Sequence, residues 1–139
     1  MRHIAIIFLL LFSCSKTLNN DELSLNQAKW HLKKIVNYEF TLRIGCFCPD
    51  ERIGPHVIKV SGGKIISVNN LPYDITKTGS LMTIDELFEY IKTSHDRNPY
   101  IENIEYDSSL GYPHHVYFDF VKEMVDEEIG FQITQFIEN

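Results

Sequence analysis

The chain has 139 residues and a formal net charge of −6, with 44% apolar and 23% charged residues. That length fits one domain, and the composition is that of a packed globular chain. With 19 acidic against 13 basic residues, it lacks the basic density that nucleic-acid binding needs, and the patch that would dock on anionic lipid.

Arg2 and His3 form a short basic start, and Ile4 to Phe12 is apolar throughout. A run of about nine residues is too short for a bilayer span, which takes roughly 20. It fits the hydrophobic region of a secretory signal. It ends in Leu11-Phe12-Ser13-Cys14, which resembles a bacterial lipobox. The resemblance implies diacylglyceryl transfer to the Cys14 sulfur and cleavage between Ser13 and Cys14. Two or three acyl chains on one residue anchor stably, where a single chain is marginal. Residues 1–13 are therefore expected to be a lipoprotein signal peptide, 14–23 a polar lipidated tether and 24–139 the domain. The alternative is a secreted protein cut nearby, with Cys14 incidental. On the first reading the protein faces the extracytoplasmic side of the bacterial cell envelope, held on the outer membrane or the cell membrane.

The spacing predicts a helix over Ser24 to Val36, with Leu25, Ala28, Leu32, Ile35 and Val36 on one stripe. Trp30 falls roughly opposite that stripe. Either a second element covers it, or it is an exposed contact for a partner. Tyr38 to Ile44 alternates strictly and reads as a half-buried strand, with Tyr38, Phe40, Leu42 and Ile44 inward. Cys46-Phe47-Cys48-Pro49 breaks it, and Asp50 to Pro55 is a loop.

His56 to Asn70 reads as a hairpin about Gly62-Gly63. A three-residue loop, pairing Val60 with Ile66 and Ile58 with Val68, keeps one face apolar, whereas a two-residue loop mixes the faces. Leu71 to Leu81 reads as a loop. Thr83-Ile84-Asp85-Glu86 is a capping box that opens a helix with Ile84, Leu87, Phe88 and Ile91 inward. Three strands follow, over Ile101–Asp107, His114–Phe120 and Phe131–Phe136. The expected fold is α+β: an antiparallel sheet of about five to six strands, two helices on one face, in the order α-β-β-β-α-β-β-β.

Cys46 and Cys48 are the thiols left once Cys14 is acylated, and outside the cytoplasm such a pair tends to be oxidised. In an extended strand their α-carbons would sit near the upper limit for a disulfide, roughly 6.5–7 Å apart, so a bond needs a bend there. A structural disulfide, a free or metal-binding pair and a redox-active pair all remain open. His56 could add a third zinc ligand, but no spacing completes a set of four. His114, His115, Tyr117 and Asp119 form the cluster closest to an acid–base site. His115, Tyr117 and Asp119 share one side of a strand, where a carboxylate can orient a histidine; a solvated sheet face would carry the same residues. Asp107 to Pro113 reads as a turn, structural or ligand-binding. No nucleophile motif and no phosphate-cradling glycine loop is present.

Several pieces run in order along the mature chain. They are Trp30 with Tyr38-Glu39-Phe40-Thr41-Leu42, Cys46-Phe47-Cys48-Pro49, the hairpin Val57 to Val68, Thr83-Ile84-Asp85-Glu86-Leu87-Phe88, Ile104-Glu105-Tyr106-Asp107, Leu110-Gly111-Tyr112-Pro113 and Asp126-Glu127-Glu128-Ile129-Gly130-Phe131. Together they resemble a family of small bacterial envelope proteins, domain of unknown function 6174. The resemblance implies fold-level kinship and an envelope location, and no activity. The functional expectation is a non-enzymatic, membrane-anchored binding module, without cofactor or metal. Its expected partners are the membrane, through lipid on Cys14, and another envelope protein. Two alternatives stand beside it. One is a thiol-redox or acid–base accessory enzyme using Cys46/Cys48 or the His115/Asp119 face. The other is a protein inhibitor of an envelope enzyme.

Overall fold

The computed structural model describes residues 15–79, 81–124 and 126–139, with side chains from residue 21 onward. Cys14 and the signal segment lie outside the described residues. In chain order the elements are α1 (Ser15–Lys33), β1 (Tyr38–Gly45), α2 (Asp50–Ile53), β2 (His56–Ser61), β3 (Lys64–Val68), β4 (Leu71–Pro72), α3 (Ile75–Thr78), α4 (Ile84–Asp96), β5 (Ile101–Tyr106), β6 (Pro113–Asp119) and β7 (Ile129–Glu138). The strands form one antiparallel sheet in the order β4-β3-β2-β1-β7-β6-β5. The class is α+β, as expected, but there are seven strands and four helices among the described residues. The segment expected to be a loop, Leu71 to Leu81, contains β4 and the single-turn α3. No described helix is long and apolar enough to cross a membrane.

β1 sits at the centre because its alternation is clean. Tyr38, Phe40, Leu42 and Ile44 are buried while Arg43 and Gly45 face out. Ile58, Val60, Val68, Val116, Phe118, Phe131 and Ile133 extend the same core. α4 packs on it through Phe88 against Tyr106 and Tyr90 against Phe118 and Phe131. Its N-terminus closes as the sequence predicts: Glu86 N–H donates to Thr83 Oγ1 and Thr83 N–H to Glu86 Oε2. Ile84 N–H donates to the buried Tyr38 hydroxyl at 3.0 Å. Burial holds that phenol far above its ordinary pKa, against the opposing pull of the Ile84 hydrogen bond.

Helix α1 reverses two expectations. It starts at Ser15, so the stretch expected to be a tether is helical. It also turns most of the predicted stripe away from the protein: Leu25 is 70% exposed and Leu32 80%, and Ala28 and Val36 are exposed too, while Ile35, past the end of the helix, is buried. The inward side carries Leu23 and Trp30, and Trp30 is only 2% exposed. The exposed-contact role for Trp30 is thereby overturned. The indole is held edge-on by Tyr38 and Phe136 (ring centroids 5.5 and 5.8 Å away), and its N–H donates to Asp85 Oδ1 at 3.2 Å. One tryptophan enclosed with a hydrogen-bond partner outweighs two leucines on the other side.

Three register shifts occur in the sheet, and two of them reposition residues whose pairing the sequence pattern suggests. The hairpin starts as a two-residue turn with Val60 opposite Ile65, then slips so that Ile58 meets Val68. The expected Val60–Ile66 pair is not made. Ile66 is the extra residue and points outward. In β7, Gln135 takes a φ of 53° where the pairing with β1 shifts. This extra residue rephases the strand and brings Phe136 onto the core, beneath Trp30.

Candidate functional site

Helices α1 and α4 cover one face of the sheet. Among the described residues no helix of more than a single turn covers the other face over β1, β7, β6 and β5, and the register arranges it in rows. Arg43, Gln132, His115 and Glu105 lie side by side across four strands. Next to them runs Gly45, Gly130, Tyr117 and Asn103. Neighbouring positions in a row are about 4.8–5.5 Å apart. Gly45 and Gly130 face each other with no side chain between, and this opens a shallow cleft of about 370 Å³. Its sides are Arg43, Gln132, His115, Tyr117 and Ile53. Ile53 comes from α2, the single turn that follows β1, so a third helix joins α1 and α4 around the sheet and the expectation of two helices does not hold.

Ile53 also borders a second concavity of about 490 Å³ formed with Cys46, Phe47, Cys48 and Pro49. Cys46 and Cys48 are joined by a disulfide, with their α-carbons 5.3 Å apart. The chain bends after β1, which brings the α-carbons below the span of an extended strand. Phe47, between them, is 83% exposed. α2 is held beneath by His56, whose buried ring places Nε2 3.0 Å from the Arg52 carbonyl. His56 thus sits in the core of β2, and the cysteines are bonded to each other. Among the described residues no group of three His, Cys, Asp or Glu side chains is placed to hold a metal ion.

His115, Tyr117 and Asp119 do share the bare face. His115 and Tyr117 line the cleft; Asp119 does not. Four residues of strand separate His115 from Asp119, about 13 Å, and among the described residues no hydrogen bond links His115 to Tyr117 or Asp119. The carboxylate therefore cannot orient the imidazole directly. Partial burial, followed by the charges of Glu128 and Asp119, raises the Tyr117 phenol above its ordinary pKa. Tyr117 is thus a neutral hydrogen-bonding aromatic at physiological pH. His114 lies on the neighbouring position of β6 and is half-buried.

The turn from Asp107 to Pro113 is structural. Asp107 Oδ1 accepts from Ser109 N–H, Ser109 Oγ–H and Leu110 N–H at 3.0, 3.1 and 2.7 Å. Gly111, at φ 85°, abuts α1 so closely that a Cβ would come within 2.6 Å of the Asn26 carbonyl. Burial works to raise the Asp107 pKa, but the hydrogen bonds from Leu110 and Ser109 outweigh it and hold the carboxyl below its ordinary value. A lowered folded pKa adds stability at neutral pH that disappears as pH falls from about 4 through the folded value. Urea midpoints measured from pH 7 to pH 3 should fall more steeply for the natural chain than for Asp107→Asn. Parallel profiles would remove the carboxylate from this account.

Sequence reasoning found His115, Tyr117 and the cysteine pair, but not Arg43, Gln132, Ile53, Phe47 or the two facing glycines. An aromatic residue between two cysteines was the one local signal available. The rest depends on β1 pairing with β7 from the far end of the chain.

Fold and site together define a helix-backed antiparallel α+β protein with one bare, indented sheet face. The chain belongs to a family of unknown function, DUF6174, whose family model matches residues 22–138. No curated protein and no solved structure matches it.

Proposed function

We propose that the protein is a lipid-anchored binding module of the bacterial cell envelope that captures another envelope protein on the bare face of its sheet. The observation that carries this reading is the surface around Gly45 and Gly130. A merely solvated sheet face would be filled with polar side chains. Here the two glycines open a cleft walled by Tyr117 and Ile53, beside an aromatic residue held out by a disulfide loop. An exposed aromatic beside a preformed hollow is what protein recognition uses, and a short ring limits the freedom lost on binding. The anchor is supported by the apolar run and Leu11-Phe12-Ser13-Cys14.

Cross-linking of the full-length protein in its own envelope, followed by mass spectrometry, tests the reading. Gly130→Val should fill the cleft without strain, because a Cβ there meets nothing closer than the Val116 carbonyl at 3.4 Å. This variant and Phe47→Ser should each lower recovery of the partner about tenfold, the effect of losing roughly 1.4 kcal/mol of binding. Their melting temperatures should stay near that of the natural chain. Undiminished recovery by both variants places capture elsewhere. An intact mass with Cys14 unmodified or Met1 retained removes the anchor.

A further inference from the structure

The outer face of α1 presents Leu25, Ala28 and Leu32 to solvent, on the side of the helix away from Leu23 and Trp30. An exposed apolar stripe on a helix packed by its other side calls for an explanation. The place where the helix begins offers one. Its first residue, Ser15, follows Cys14, so no extended tether separates a lipid on that cysteine from the helix. At 3.6 residues per turn, Leu25 and Leu32 stand about two turns apart and so share one side of the helix. Lys33 and Lys34 follow at the far end and are exposed, suited to reach headgroups while their stems lie on apolar surface. Two leucines and an alanine on one helix cover far less than the roughly 1,200 Å² that a specific protein interface buries, so the stripe is too small to hold a second copy by itself.

We infer that the outer face of α1 lies in the headgroup–acyl boundary of the bilayer that holds the lipid of Cys14, so that the domain rests on the membrane along this helix. The inference depends on the lipid-anchor reading. The anchor supplies the affinity, and the stripe supplies the orientation. Because α1 covers one side of the sheet, the cleft on the other side then points away from the membrane, toward an incoming partner.

The test uses the full lipidated protein in phosphatidylethanolamine–phosphatidylglycerol vesicles with brominated acyl chains. Leu32→Trp places an indole on the stripe, and Phe47→Trp places one on the exposed disulfide loop beyond the far end of β1; each is compared with the natural chain, whose own tryptophan is enclosed. The indole introduced at 32 should lose about half of its added emission to the brominated lipid, and the one at 47 none. Leu25→Glu combined with Leu32→Glu should leave melting unchanged and make the cleft face variably oriented to added protease. An unquenched indole at 32 in protein whose mass shows acylated Cys14 overturns the membrane contact while the anchor stands. A dimer in sedimentation that Leu25→Glu/Leu32→Glu abolishes assigns the stripe to a second copy and overturns it too. Absence of acyl chains on Cys14 defeats both readings together.

Discussion

Trp30→Ala is expected to destabilise the protein by about 4 kcal/mol, the range for emptying a fully enclosed aromatic site. The melting temperature should fall by more than about 10 °C. The cavity would open among Tyr38, Tyr112 and Phe136, which meet the indole edge-on; Phe136 also stacks on both tyrosines, with ring centroids 5.4 Å from Tyr38 and 4.7 Å from Tyr112. Removing the indole thus loosens α1, the start of β1 and the end of β7 together. Trp30→Phe keeps most of the packing and loses the bond to Asp85, at a cost nearer 1 kcal/mol. The control is Leu32→Ala on the same helix. At 80% exposure it should change stability by no more than about 0.5 kcal/mol. Urea denaturation of the three variants decides the matter: a larger loss for Leu32→Ala than for Trp30→Ala means that α1 packs by its other face.

The second large effect lies at the end of α4. His95 and Glu102 have side chains only 8% and 12% exposed, and His95 Nδ1 is 2.8 Å from Glu102 Oε2. Against a carboxylate acceptor, Nδ1 carries the proton. The pair ties the last turn of α4 to edge strand β5, beside a small polar cavity of about 130 Å³ lined also by Glu22, Asn103 and Tyr106. His95→Ala leaves a carboxylate enclosed without its partner and is expected to cost about 3 kcal/mol. Taking both polar side chains out should be milder, because then no enclosed acceptor is left without its donor. The double variant His95→Leu/Glu102→Leu is therefore expected to be more stable than His95→Ala alone. A double-mutant cycle by chemical denaturation measures the coupling. Additive losses would mean that the two side chains do not support each other.

Strong local patterns were readable in the chain, and patterns completed at long range were not. The alternation of Tyr38 to Ile44 produced β1, and Thr83 with Glu86 produced the start of α4, because both signals lie within a few residues. Helix α1 defeated the periodicity argument for a physical reason. It has apolar residues on two sides, and spacing alone does not say which side a neighbour will cover. The aromatic pit that decides it comes from Tyr38 on the next strand and from Tyr112 and Phe136, which lie far along the chain. Gln135 is another such case, since a bulge that sends Phe136 inward leaves no mark in a period of two. At the site, Tyr117 and His115 were legible as neighbours on one strand. The hollow beside them was not, because it needs Gly45 and Gly130 to meet across two strands at opposite ends of the sequence.

The sheet order has a consequence for how the molecule is assembled. The last strand, β7, lies between β1 and β6. Until it docks, β4-β3-β2-β1 and β6-β5 are separate halves, each with an open seam. Contacts between chain ends are slow to form, since the intervening chain must first be gathered in. A chain still on the ribosome would therefore remain unfinished until β7 is free to close the gap. Clipping those residues should cost the whole cooperative unit, not one edge of it.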